Sequence, residues 1–247
     1  MNITILTLFP HEMASYFNKG ILAKAQSKQL FSVDFVNIRD FSNPPHYKVD
    51  DYPFGNRKGM LLRADILDRA IQSVDNYESC RIIYVCPKGT VFNQVVAESF
   101  SESKNLIFIC GYYEGVDERL FDLHTIERFS LGQFVLTSGE LPVMTMIDAS
   151  VRCISGVLGN NDSYFEDSIT SGLLEYPQYT IPRSYKENEV PGVILSGHHA
   201  KIAEWQRKQA LKQTLFFNPS LLSTACLVEK DIEMISNIIE EETRCLL

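Results

Sequence analysis

The chain has 247 residues, 45% hydrophobic and 22% charged, with a formal net charge of −8. That is the composition of a soluble globular protein with a real core, long enough for one large domain or a medium and a small one. No apolar run approaches the ~18 residues of a membrane span, and net acidity argues weakly against a general nucleic-acid binder.

The opening Met1-Asn-Ile-Thr-Ile-Leu-Thr-Leu-Phe9 lacks a basic stretch and a small-residue cleavage site, so it reads as a first strand, not a signal peptide. Asn2–Phe9, Phe31–Ile38, Arg81–Cys86 and Asn105–Cys110 are β-branched or aromatic and bounded by turn formers, as strands are. Between them, Leu61–Val74 repeats Leu62, Ile66, Leu67, Ala70, Ile71 and Val74 at helical spacing, and Phe92–Phe100 is a shorter helical stretch. This alternation predicts an α/β fold with a mostly parallel sheet and helices on both faces. Glu140–Ile154 reads as a longer helix, with Pro142 in its first turn and Gly156 just beyond.

Residues 159–171 are polar and poor in aliphatics, and are the expected linker after a first domain spanning 1–158. The remainder, 172–247, is expected to be a small helical module. In it, His199–Gln213 aligns Lys201, Glu204, Lys208 and Lys212 along one stripe, with Glu204 and Lys208 at a pairing distance of four residues. Asp231–Arg244 sets Ile232, Ile235 and Ile239 against an acidic face. Charge is therefore local. His198–Thr214 carries four Lys/Arg against one Glu, a net of +3; Leu227–Leu247 carries six acids against two bases, a net of −4. A local basic face can bind RNA even in an acidic protein. Six dispersed cysteines without a C-x-x-C pair point to a reduced, cytoplasmic setting.

The chemistry concentrates in loops that follow strands. Tyr84-Val-Cys-Pro-Lys-Gly89 ends a strand in a Pro-Gly turn. Cys110-Gly-Tyr-Tyr-Glu-Gly-Val-Asp-Glu-Arg119 and Ser130-Leu-Gly-Gln-Phe-Val-Leu-Thr-Ser-Gly-Glu-Leu-Pro142 combine glycines with acids. Glycine lets backbone amides and carbonyls approach a ligand, and loops at one edge of a parallel sheet are where such sheets bind ligands. A plain turn for the first loop and a helix start at Glu114, Asp117 and Glu118 for the second remain open readings. Neither a dinucleotide fingerprint nor a phosphate loop is present. His198-His199 lacks a third metal ligand at suitable spacing, so no metal site is expected there.

These two loops resemble the cofactor loops of the bacterial tRNA (guanine-N1)-methyltransferases. The resemblance extends through Val49-Asp-Asp51, Gly156-Val-Leu-Gly159, Glu166-Asp-Ser168, Gly172-Leu-Leu174, Tyr179-Thr180, Leu195-Ser-Gly197 and Trp205. It implies a deep trefoil knot in the first domain, S-adenosylmethionine as cofactor, magnesium in catalysis, tRNA as substrate, and a homodimer with active sites at the subunit interface. By position it implies Asp167 as general base, Arg152 as partner of guanine O6, and Glu114 near cofactor and substrate. Tyr84, Pro87, Gly111, Leu131, Gly132, Gln133, Phe134, Val135, Leu136, Ser138 and Gly139 correspond to the cofactor cradle. Asp50, Glu175, Lys201, Lys208 and Lys212 are the implied substrate contacts. The implied reaction is N1 methylation of guanosine 37.

The pattern is broken at Gly55-Asn-Arg-Lys-Gly59, where only the outer glycines of a triple-glycine loop remain, and at Lys88, Tyr112, Gln133-Phe134, Ser138 and Ile181. These departures leave open an altered cofactor affinity or RNA specificity, or an RNA-binding homologue that no longer turns over.

Overall fold

A computed structural model of the chain describes residues 1–55, 58–158 and 172–245. They form two compact units, Met1–Gly159 and Asn160–Leu247.

The first unit is built on β1 (Asn2–Thr7), β2 (Ser32–Asn37), β5 (Arg81–Val91), β6 (Asn105–Ile109) and β7 (Ile126–Ser130). They make one five-stranded sheet in the order β2-β1-β6-β5-β7, every pairing parallel. A small antiparallel hairpin, β3 (Asp50–Asp51) with β4 (Leu61–Leu62), stands apart from it. The expected parallel sheet is therefore present, and side-chain alternation along its strands explains why both faces are covered. Ile3, Ile5, Ile83, Val85, Leu106 and Phe108 point to one side. There they pack on α1 (Pro10–Phe17), α2 (Gly20–Ser27), α4 (Gln94–Ser101) and α6 (Glu140–Val151). Leu6, Ile82, Tyr84, Ile107 and Ile109 point to the other, against α3 (Ala64–Gln72) and α5 (Leu120–Leu123). Ile66, Leu67, Ala70 and Ile71 of α3 are all but inaccessible to water, and each of the larger ones contributes about 1.5–3 kcal/mol by burial.

Several boundaries differ from the sequence reading. Leu61 and Leu62 belong to a strand, and the helix expected from Leu61 begins at Ala64. The helix expected over Phe92–Phe100 starts at Gln94, because the Asn93 side chain caps it by accepting from the Val96 N–H at 3.0 Å. The longer helix ends at Val151, not Ile154. The strand expected to stop at Cys86 runs on to Val91. Its pairing with β7 slips between Val85 and Thr90, so residues 86–89 bulge out of the sheet.

The second unit contains the hairpin β8 (Ser184–Tyr185) and β9 (Asn188–Glu189), then α7 (Gly192–Leu195), α8 (His199–Phe217) and α9 (Glu229–Cys245). Leu173, Ala210, Leu211 and Ile238 form its small core. Charge ties α8 to α9. The pairing expected within α8 is replaced by pairs between helices: Glu204 bonds Lys230 at 2.8 Å, Lys208 bonds Glu241 at 2.8 Å, and Lys212 bonds Glu242. Arg207 grips Asp231 with two hydrogen bonds of 2.9 and 2.8 Å, and the Val228 N–H donates to the same carboxylate.

The Arg207 guanidinium holds the Asp231 carboxyl below its ordinary value of 3.8. A depressed carboxylate stabilises the fold above its unfolded pKa, and that contribution fades as pH falls through the lowered value. Arg207→Ala is therefore expected to destabilise the second unit by about 2 kcal/mol at neutral pH. That is less than for a fully buried pair, because the arginine side chain is 39% exposed. Thermal melts of wild type and variant should converge as pH drops below about 4; a gap that stays constant would mean that the ion pair is not its cause.

Candidate active site

Because β5, β6 and β7 are parallel, the segments that follow them open at the same edge of the sheet. The bulge at 86–89, the loop 110–119 and the loop 131–139 meet there around a cavity of about 410 Å3. That volume lies within the range of small-molecule and cofactor sites. Every candidate cradle residue except Gln133 lines it, and so does Glu114.

Backbone contact holds the cavity together. The Gly139 N–H donates to the Gly111 carbonyl at 2.7 Å, which fastens the loop after β7 onto the loop after β6. A Cβ at Gly139 would overlap the Gly111 amide and crowd the Cys110 backbone. Gly111 in turn faces Tyr84, whose hydroxyl would lie 3.0 Å from an added Cβ. Glycine is needed at both positions because main chain and ring already occupy the space. On the third side, the Phe92 N–H donates to the Ser130 carbonyl at 2.8 Å, closing the bulge against the end of β7.

Beneath the cavity the first turn of α6 carries a buried acid. Glu140 accepts a hydrogen bond from the Thr7 hydroxyl at 2.7 Å, joining the end of β1 to the start of α6. An anion there also faces the positive end of the helix dipole. Burial pushes the Cys110 thiol well up, and the nearby Glu140 charge adds to it, so Cys110 is a packing residue rather than a nucleophile. Burial likewise pushes the Tyr84 phenol up. Tyr84 therefore stays neutral and shapes the wall without acting as a base.

The charged lining is partly balanced. Arg128 pairs with Glu118 and stacks 3.7 Å from the centre of the Phe121 ring. Sequence reasoning missed this cluster, because it missed β7, which carries Arg128. Tyr112, one of the departures from the family pattern, packs with its ring centre 5.3 Å from that of Phe9 and 4.7 Å from that of Tyr113. Gln133 is exposed and outside the lining, so the acid absent at that position leaves no gap in the wall. Ser138 lies within the lining.

Other implied residues lie elsewhere. Arg152 is exposed at the C-terminal end of α6, whereas Gly139, at its N-terminal end, lines the cavity. At 1.5 Å per residue these ends are roughly 20 Å apart. Asp50 is in β3. Glu175 belongs to the second unit, where the Gln178 amide donates to it. Lys201, Lys208 and Lys212 are on α8, the last two already bonded to α9. Asp167 and residues 159–171 lie outside the described residues.

An open parallel α/β sheet, with a glycine-built cavity beyond its carboxyl edge, defines a ligand-binding domain of the α/β class. A family model described as tRNA (Guanine-1)-methyltransferase TrmD matches residues 1–224. A tRNA (guanine-N(1)-)-methyltransferase of Staphylococcus epidermidis is 47% identical over 235 residues, covering 95% of this chain and 96% of its own length. Similar proteins of the same name occur in Staphylococcus carnosus, at 45% identity over 96% of this chain and 97% of its own length, and in Dictyoglomus turgidum, at 44% over 98% of each. The chain belongs to the tRNA (guanine-1)-methyltransferase family and is thus a methyltransferase.

Proposed function

We propose that this chain transfers the methyl group of S-adenosylmethionine to N1 of guanosine 37 in tRNA, acting as a homodimer whose active sites draw on both subunits. The observation that carries the reading is the meeting of the β5 bulge and two strand-following loops at one cavity, closed by the Gly139–Gly111 hydrogen bond. A cavity walled by backbone donors and acceptors, with apolar Leu131, Phe134 and Leu136 beside them, suits an adenosine moiety.

The cofactor supplies an electrophilic methyl group on a sulfonium. What the protein must supply is a nucleophilic N1, which carries a proton at neutral pH. Asp167 would take that proton, and the Arg152 guanidinium would stabilise the negative charge that builds on O6. Glu114, on the cavity wall, would help orient the guanine or the cofactor. The spacing along α6 supports the dimer. Arg152 and the cavity of its own chain are separated by roughly 20 Å of helix, farther than an arginine reaches, so it would serve the cavity of the partner. Exposed Phe134 (54%) and Val135 (84%) in the cavity lining offer an apolar rim that a second subunit would cover. For the magnesium that the resemblance implies, no group of three or more His, Cys, Asp or Glu stands together among the described residues. Asp50 and the α8 lysines are the proposed tRNA contacts, reached once Lys208 and Lys212 exchange their α9 partners for phosphates.

Incubation with S-adenosylmethionine and tRNA transcripts carrying guanosine at positions 36 and 37, followed by nucleoside mass spectrometry, tests the reading. N1-methylguanosine at position 37 is expected. Its absence, with intact RNA and measurable cofactor binding, would favour an RNA-binding homologue without turnover.

A further inference from the structure

The β3–β4 hairpin is fixed at its base, and Tyr52 and Phe54 beyond β3 are exposed. Leu62 forms a bridge with Val116, its N–H donates to the Gly115 carbonyl at 2.9 Å, and the Asp117 N–H donates to the Leu62 carbonyl at 3.0 Å. The Glu114 N–H donates to the Met60 carbonyl at 3.0 Å. The returning arm of the hairpin is thereby bonded to the very loop that presents Glu114 to the cavity. Between its strands stand Tyr52, 75% exposed, and Phe54, 97% exposed, whereas Phe17, Phe100 and Phe108 are fully buried. A Cβ at Gly55 would meet nothing within 4 Å. Lys58 is exposed beside it, and Lys48 lies at the other flank, paired with Asp51 at 3.0 Å.

Exposed aromatic rings with a lysine on either side, on a hairpin bonded to the loop that carries Glu114, match the way proteins hold unpaired RNA. Rings stack on bases without regard to sequence, and cations follow the phosphates. A base that enters a pocket for chemistry leaves its stack, and its neighbours then lack a partner. We infer that Tyr52 and Phe54 form a stacking platform for the unpaired bases that flank the target guanosine. The inference rests on the tRNA-methylating reading above and adds to it the residues that hold the loop open.

The test uses the full-length protein and one tRNA transcript, with Phe54→Ala, Phe54→Leu and Phe54→Trp compared with wild type. Phe54→Ala is expected to raise KM for tRNA roughly 5- to 150-fold, the loss of one base–aromatic stack, with kcat and S-adenosylmethionine affinity near wild type. Phe54→Trp should restore KM and Phe54→Leu should not. An unchanged KM in Phe54→Ala, or equal rescue by leucine, would overturn the platform. So would a shift of Phe54→Ala to monomer in sedimentation, which would make the tip a subunit contact. Fluorescence anisotropy with an anticodon stem-loop separates this inference from the reading beneath it. RNA binding that weakens in Phe54→Ala, without methylation by wild type, would refute the reaction and keep the platform. Absence of RNA binding by wild type would refute both.

Discussion

Asp167→Ala is expected to slow N1 methylation by about 10²–10⁴-fold, the usual contribution of a positioned general base, while S-adenosylmethionine binds as to wild type. The reasoning is chemical. Guanine N1 is protonated at neutral pH, so its lone pair becomes available only as the proton leaves. The proposed adenosine cradle draws on residues 84–139 of the first unit. Single-turnover rates at saturating tRNA, with calorimetry for the cofactor, separate the two effects. A wild-type rate in the variant would remove Asp167 from the mechanism.

Gly139→Ala should be nearly as damaging by a different route. The added carbon would meet the main chain of Gly111 and Cys110, not the far end of a flexible side chain, so relief requires one whole loop to move. Moving it breaks the 2.7 Å hydrogen bond to the Gly111 carbonyl and opens the cavity. Misplacement of about 1 Å in such a site costs on the order of 10²-fold, and overpacking at a buried position costs about 1–3 kcal/mol of stability. Calorimetry should show a weaker cofactor affinity, with a lower melting temperature, and turnover should fall by roughly that factor. Gly192→Ala is the control: a Cβ there would meet nothing within 4 Å, and none of these quantities should move. Wild-type affinity in Gly139→Ala would mean that the contact between the two loops does not shape the proposed cofactor site.

How much of this was legible in the sequence depends on the range over which each cause acts. The strands that bury both faces, Asn2–Thr7 and Asn105–Ile109, announced themselves as apolar runs. The edge strand β7 did not, since Glu127 and Arg128 interrupt its apolar pattern; Glu127 is there to pair with Arg81 of β5. The Pro-Gly of residues 87–89 read as a turn that ends a strand. In the fold Gly89 lies against the Arg128 and Phe129 backbone, where a Cβ would clash, and the strand resumes beyond it. The cavity loops were found because glycine at a ligand site leaves a local signature. Contacts between distant segments left none. The bonds from Lys208 and Lys212 to Glu241 and Glu242 join helices some 30 residues apart, and only the fold reveals that the basic stripe is already engaged. Similarly, the residue-by-residue comparison placed Arg152 beside guanine O6, but only the direction of α6 separates it from its own chain's cavity.

A site shared between subunits is tested most directly by complementation. Asp167→Ala and Glu114→Ala chains, each expected to be much slower than wild type alone, would be unfolded, mixed and refolded together, and methylation by the mixture measured. If the base of one chain serves the cavity of the other, each mixed dimer holds one intact site and activity reappears. If base and cavity belong to the same chain, every site keeps one lesion, and a mixture as slow as its parents would contradict the shared active site.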